Sequence, residues 1–76
     1  MIDEVLYMEA RLFSAFRQKY DISPIQANRL FEDYHIWDYI EECYGALHTS
    51  GDEYILDDIA SMLEGQGVQL PTLARQ

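Results

Sequence analysis

Apolar residues recur every three or four positions along most of the chain, a spacing that predicts helices rather than strands. Over residues 2–20 no Gly or Pro interrupts the pattern, with acids near its start and bases near its end, as the helix dipole favours. The stretch therefore predicts a first helix over 2–20. Its apolar positions are Ile2, Val5, Leu6, Met8, Leu12, Phe13, Phe16 and Tyr20.

These apolar positions fall on more than one stripe of the first helix. Positions 2, 6, 13, 16 and 20 differ in direction from positions 5, 8 and 12. Two interpretations are open. The helix is either held on two sides within its own domain, or it presents one stripe to a partner or to a second copy of the chain. A homodimer through the first helix is therefore one alternative.

A second helix is predicted over 24–32. Ser23 is a favoured N-cap, Pro24 suits the first helical position because its missing N–H costs nothing there, and Gln26 completes a capping box. We expect this short helix to depend on tertiary packing. Its predicted buried residues are Ile25, Leu30 and Phe31.

A third helix is predicted over 36–47, with Asp33 as its cap. One face of this helix is predicted to be apolar, and the opposite face is predicted to be acidic and solvent-exposed. Gly45 is unfavourable inside a helix, so either the helix ends there or another backbone packs close to it. The predicted apolar stripe is Ile36, Ile40, Cys43 and Leu47, and the predicted solvent-exposed face is Asp38, Glu41 and Glu42.

A fourth helix is predicted over 51–64, where Ser50 and Glu53 form a second capping-box pattern. It should end at Gly65 or Gly67, with glycine in the left-handed cap position. Residues 68–76 contain Pro71 and lack periodicity, so they are predicted to be a flexible tail. The prediction is an all-α protein: one helical domain over 1–67, built as a compact four-helix bundle. The predicted apolar stripe of the fourth helix is Ile55, Leu56, Ile59, Met62 and Leu63.

Charge is distributed unevenly along the 76 residues. The net charge is −9, and residues 34–65 contain eight Asp or Glu and no Lys or Arg. A surface of this kind disfavours direct binding to nucleic acid, which needs Lys and Arg to neutralise phosphates. It disfavours anionic membranes for the same reason. A basic protein is the natural partner of such a surface.

The chain also contains no apolar run long enough for a membrane span. Residues 1–20 carry charges throughout, unlike a signal peptide. The single cysteine cannot form a disulfide within the chain. We therefore expect a cytoplasmic protein.

Candidate catalytic and metal-ligating groups are weak. His35, Asp38 and Glu42 could share a helix face, but no recognised metal-ligand spacing accompanies them. Cys43 and His48 lie five residues apart and point in different directions on a helix, which does not suit a nucleophile and its base. We expect no metal, no cofactor and no enzymatic activity.

The segment from Leu30 to Gly67 carries a more specific pattern. It contains Trp37-Asp38-Tyr39-Ile40, then Leu47-His48-Thr49, then Glu53-Tyr54-Ile55 and Asp57-Asp58-Ile59. This order resembles a family of small all-helical bacterial proteins described as a domain of unknown function. Members are often encoded beside an ADP-ribosyltransferase-like toxin. The resemblance implies an antitoxin-like or accessory role.

The leading functional hypothesis is a protein–protein interaction module that binds and neutralises a basic partner, such as a cognate toxin. Aromatic anchors with an acidic rim are typical of such an interface. A phage or mobile-element inhibitor that mimics nucleic acid is an alternative, and a self-associating structural protein is another. The predicted partner-binding residues are Tyr44, His48, Asp52, Glu53, Tyr54, Asp57 and Asp58.

Overall fold

The computed structural model describes residues 3–70, and all the regular structure in that part of the chain is helical. Its helices are α1 (Glu4–Tyr20), α2 (Pro24–Asp33), α3 (Ile36–Glu42), α4 (Tyr44–Leu47) and α5 (Asp52–Gly65). The predicted helical class is confirmed. Five helices replace the four predicted because the third predicted helix is interrupted.

Helix α1 is the central element, since it contacts α2, α3 and α5. Asp3 caps it by accepting hydrogen bonds from the backbone N–H groups of Val5 and Leu6 at 3.0 and 3.2 Å. One stripe of α1 enters the core at intervals of four residues, which is the helical spacing expected for a buried face. That stripe is Met8, Leu12, Phe16 and Tyr20. Ile2, the first predicted apolar position, lies outside the described residues.

Helix α2 begins as predicted. The Ser23 hydroxyl accepts a hydrogen bond from the Gln26 N–H at 3.2 Å, and Pro24 occupies the first turn. Phe31 is fully buried, but the prediction that Ile25 is buried was wrong, because its side chain is 70% exposed. Ala27 takes the core position instead, two residues further round the helix.

The continuous helix predicted over 36–47 was wrong. The backbone of Cys43 has φ −100° and ψ 10°, which ends α3 and separates it from the single turn of α4. Neither explanation offered for Gly45 holds, since the interruption comes two residues earlier and a Cβ at Gly45 would meet no atom within 4 Å. Asp33 does not cap α3 either. It is the last residue of α2, and His35 stands at the N-cap in the left-handed conformation, with φ 60°.

Helix α5 begins at Asp52 with Gly51 as its N-cap, and no side chain caps it, so the predicted Ser50 cap was wrong. The Ser50 hydroxyl instead donates to the carbonyl of Ala46 at 3.4 Å. The predicted glycine end is confirmed. Gly67 has φ +91°, and the Val68 N–H donates to the carbonyl of Leu63 at 3.0 Å, as in a Schellman motif.

After this turn the chain returns to the core. Leu70 is buried and Val68 is half-buried against the same cluster of apolar side chains. Both belong to the predicted tail, whose remaining residues, 71–76, lie outside the described part of the chain.

Candidate protein-binding surface

The predicted partner-binding residues lie on α4 and α5, and the fold separates them into different environments. The rings of Tyr44 and His48 stack with centroids 5.3 Å apart. The Tyr44 hydroxyl also donates a hydrogen bond to the Glu4 carboxylate at 3.1 Å, which ties α4 to the first turn of α1. Tyr54 stands apart on α5 with 66% of its surface exposed. The tyrosines therefore do not form one cluster.

The acidic residues of α5 are partly neutralised by the bases of α1. Arg11 donates two hydrogen bonds to Asp52, at 3.1 Å from Nε and 3.0 Å from Nη2. Lys19 lies 2.9 Å from a Glu53 oxygen and 3.0 Å from an Asp57 oxygen. These carboxylates raise the pKa of both bases, chiefly through the hydrogen bonds. Three of the four acids predicted to meet a partner thus already have cations of their own chain.

The fourth predicted acid, Asp58, faces α3. It accepts a hydrogen bond from the Tyr39 hydroxyl at 2.5 Å. Burial raises the pKa of Tyr39 well above its usual range, and the Asp58 carboxylate raises it further. Asp58 therefore joins α5 to α3 within the fold.

Among residues 3–70, acidic residues without a Lys or Arg partner occur instead on α3. Asp38, Glu41 and Glu42 are all exposed, and α3 contains no Lys or Arg. Asp38 lies 3.3 Å from the ring of His35, one turn away in sequence. Within residues 3–70, neither Glu41 nor Glu42 forms an ion pair with a Lys or Arg side chain.

A groove of about 430 Å³ runs between α1 and α3, beside these acids. The aromatic rings of Phe13 and Trp37 stack in its floor, with centroids 5.3 Å apart and an interplanar angle of 29°. Phe31 supports both rings edge-on from below, at 5.3 and 4.9 Å. The groove is lined by Leu6, Glu9, Ala10, Phe13, Trp37 and Glu41.

Two carboxyl groups meet at this groove. Glu9 on α1 is only 9% exposed and is the buried charged residue of the described chain. Burial raises its pKa, and the neighbouring Glu41 carboxyl raises it further through like charge and a hydrogen bond; Asp3 adds a smaller contribution. A pair of carboxyls held against an apolar floor is suited to receive a cationic side chain.

This groove was not predicted from the sequence, although the residues that form its α1 side follow a recognisable pattern. Leu6, Ala10 and Phe13 have the spacing of one helix face, and Glu9 lies within that face. Charge on an otherwise apolar stripe is the feature that indicates a binding surface. The predicted binding residues are instead tyrosines, a histidine and acids of the second half of the chain.

A smaller groove of about 280 Å³ lies on another side of α1. It brings the predicted residues Tyr44 and His48 against Tyr7 and Arg11, whose guanidinium lies 5.5 Å from the Tyr7 ring centroid. This groove contains a base that is already paired with Asp52, so its charge is more balanced than that of the groove between α1 and α3.

Residues 3–70 contain no group of three or more His, Cys, Asp or Glu side chains placed to hold a metal ion. None of the helices described is both long enough and apolar enough to cross a membrane.

The fold and its surface define a class: a small, acidic, all-helical protein with a mixed apolar and carboxylate groove. The chain belongs to the DUF3791 family, described as "Protein of unknown function", whose model matches residues 8–66. The search of curated proteins and that of solved structures each gave no match. The family description names no activity or partner, so the toxin association implied by the resemblance stays a prediction.

Proposed function

We propose that this protein is an acidic protein–protein interaction module that binds a basic partner protein, in an antitoxin-like or accessory role. The observation that carries the proposal is the excess of carboxylates left after the ion pairs among residues 3–70 are formed. Arg11 and Lys19 pair with three of the 14 acidic residues. The acids of α3 stay exposed beside an apolar groove. Such a surface attracts a cationic protein and accelerates its association.

The ion pairs of α5 favour this role over mimicry of nucleic acid. A mimic requires a row of free carboxylates at phosphate-like spacing, and Asp52, Glu53 and Asp57 are each engaged by a base of α1. An apolar groove would also serve no purpose in imitating a phosphate backbone. Both observations favour a protein partner.

Isothermal titration calorimetry tests the proposal, with a purified basic protein encoded by an adjacent gene as the titrant. We expect binding that weakens as salt rises, because exposed charges are screened at high ionic strength. Replacing Glu41 and Glu42 by Lys should reduce the association rate. These two residues are better targets than Asp57 and Asp58, whose replacement would break contacts within the fold.

Replacement of Glu32 and Asp33 by Lys provides a control with the same change in net charge, placed at the end of α2. If the control slows association as much as the α3 variant does, the effect is one of net charge alone. Absence of binding at low salt would remove the neighbouring protein as the partner.

A further inference from the structure

Among residues 3–70, no Lys or Arg side chain pairs with the carboxyl groups of Glu9 and Glu41. Arg11 and Lys19 pair with acids of α5. Arg17 donates to the carbonyl of Ile22 at 3.2 Å. The last of the four described bases is Arg29 on α2, which lines a separate cavity with Val68 and Leu70. None of these four bases pairs with Glu9 or Glu41, so a cationic group of another molecule would complement the pair.

The apolar part of the same groove is also incompletely covered. Leu6 is 62% exposed at its edge, and Phe13 and Trp37 are only half-buried although both pack against the core. A ligand that fits the whole groove must therefore present an apolar group and a positive charge side by side. An amphipathic helix with a base next to an apolar residue has this chemistry.

We propose that the groove between α1 and α3 binds an amphipathic helix of the basic partner, with one arginine of that helix between Glu9 and Glu41 and a neighbouring apolar side chain on Leu6 and Ala10. This proposal rests on the proposed function and specifies its site. The ridge of a partner helix fits between two packed helices as helices fit one another in a bundle.

Arginine fits the site better than lysine. Its planar guanidinium carries five N–H donors, enough to serve two carboxyl groups at once, and it is more weakly hydrated than an ammonium group. The guanidinium plane can also lie over the indole of Trp37. A second copy of this chain is a poor occupant, because it would bring another strongly acidic surface, of net charge −9, against the carboxyl pair.

Synthetic peptides test the proposal directly on the full chain. The probe is an alanine-rich helical peptide with a leucine and an arginine four residues apart, so that both lie on one face. A matched peptide replaces the arginine by citrulline, which keeps the shape of the side chain and removes its charge. Trp37 is the only tryptophan of the chain, so its fluorescence reports on the groove itself.

We expect the arginine peptide to change Trp37 fluorescence and the citrulline peptide to bind about tenfold more weakly, as for loss of a charge-assisted hydrogen bond. Glu9→Gln and Glu41→Gln should each weaken binding of the arginine peptide by a similar factor. Glu42→Gln, an equal change of charge on α3 outside the groove, should alter the Kd by less than about twofold. Leu6→Ala should weaken binding roughly tenfold through lost apolar contact.

Equal binding of the two peptides would overturn the proposal, and so would an equal effect of Glu41→Gln and Glu42→Gln. No response of Trp37 to either peptide would overturn it as well. Circular dichroism of each variant confirms that the helices are intact.

The experiment separates this proposal from the proposed function. If the neighbouring basic protein binds equally well to the wild type and to Glu9→Gln, Glu41→Gln and Leu6→Ala, the interaction module stands and the groove is not its site. If the arginine peptide binds as expected but the neighbouring protein does not, the groove stands and its natural partner is another protein.

Discussion

Arg11 and Asp52 form a two-point ion pair between the middle of α1 and the first turn of α5, with nitrogen–oxygen distances of 3.1 and 3.0 Å. Because the Asp52 carboxylate lies at a helix N-terminus, it also complements the dipole of α5. The pair fixes one end of α5 against the central helix.

We predict that Arg11→Gln and Asp52→Asn each lower the free energy of unfolding by about 0.5–1 kcal/mol. The value is small because both side chains are more than one-third exposed and solvent screens the pair. Urea unfolding of the single and double variants gives the coupling energy through a double-mutant cycle. Arg29→Gln, which removes an exposed base that has no ion pair among residues 3–70, is the control. A coupling energy of zero would show that the contact adds nothing to stability.

Glu9→Gln should stabilise the fold at neutral pH. Burial and the adjacent Glu41 raise the pKa of Glu9, so the folded state holds its proton more tightly than the unfolded state does. Ionising Glu9 therefore costs stability as pH rises from the ordinary glutamate pKa through the raised value. Above that window, the neutral glutamine should increase the free energy of unfolding on the order of 0.5 kcal/mol, as for relief of a like-charge contact.

The gain from Glu9→Gln should shrink as pH falls below the ordinary glutamate pKa, where Glu9 is neutral in both states. Chemical unfolding at a series of acidic and neutral pH values measures this difference. Glu42→Gln provides the comparison, as a change of the same type at an exposed position of α3. A gain of equal size at every pH would contradict the assignment to Glu9 ionisation.

Tyr39→Phe should destabilise the protein by roughly 1–2 kcal/mol, because it leaves the Asp58 carboxylate without the hydroxyl that donates to it. Thermal and urea unfolding measure the loss. Tyr54→Phe removes a hydroxyl from an exposed tyrosine on α5 and should change stability far less. A similar effect of the two substitutions would show that the hydrogen bond contributes little.

Tyr39 should also make the fold sensitive to alkali. Its pKa is raised in the folded state by burial and by Asp58, so the unfolded chain loses this proton first. Stability should then fall as pH rises above the ordinary tyrosine pKa, and Tyr39→Phe should reduce that dependence. Spectrophotometric titration of tyrosinate should show one tyrosine fewer with raised pKa in the variant.

Gly45→Ala and Gly67→Ala should have opposite effects. A Cβ at Gly45 would meet no atom within 4 Å, and Ala is favoured over Gly in a helix, so stability should rise by about 0.5 kcal/mol. Gly67 also has open space, but its φ of +91° strains any other residue, so Ala there should cost about 1 kcal/mol. Differential scanning calorimetry resolves the two directions. Equal shifts in Tm would contradict this account.

Local signals predicted much of the fold. The Ser23–Pro24 start of α2 and the glycine end of α5 depend on residues a few positions apart, and both were predicted correctly. The interruption at Cys43 was not, since no residue type at that position marks a break. The apolar stripe of the predicted third helix simply continues across it. The packing of α3 and α4 against their neighbours decides the local backbone there, and a periodicity argument does not contain that information.

The candidate surface was harder to predict than the fold. The charge pattern showed that residues 34–65 contain no Lys or Arg, but it could not show that Arg11 and Lys19 pair with acids of α5. Those pairs join residues 34 to 41 positions apart in sequence. The excess of carboxylates next to an apolar groove consequently lies beside α3 rather than on α5. Only the tertiary arrangement brings Glu9 and Glu41 together.

Helix α1 contributes both to the core and to the wall of the groove, and this combination bears on the cost of the proposed binding. Leu12 lies in the core on the same turn that presents Phe13 to the groove. The wall of the groove therefore cannot shift without disturbing the packed interior. A ligand meets a surface that is already preorganised, so little conformational entropy of this protein is lost when the complex forms.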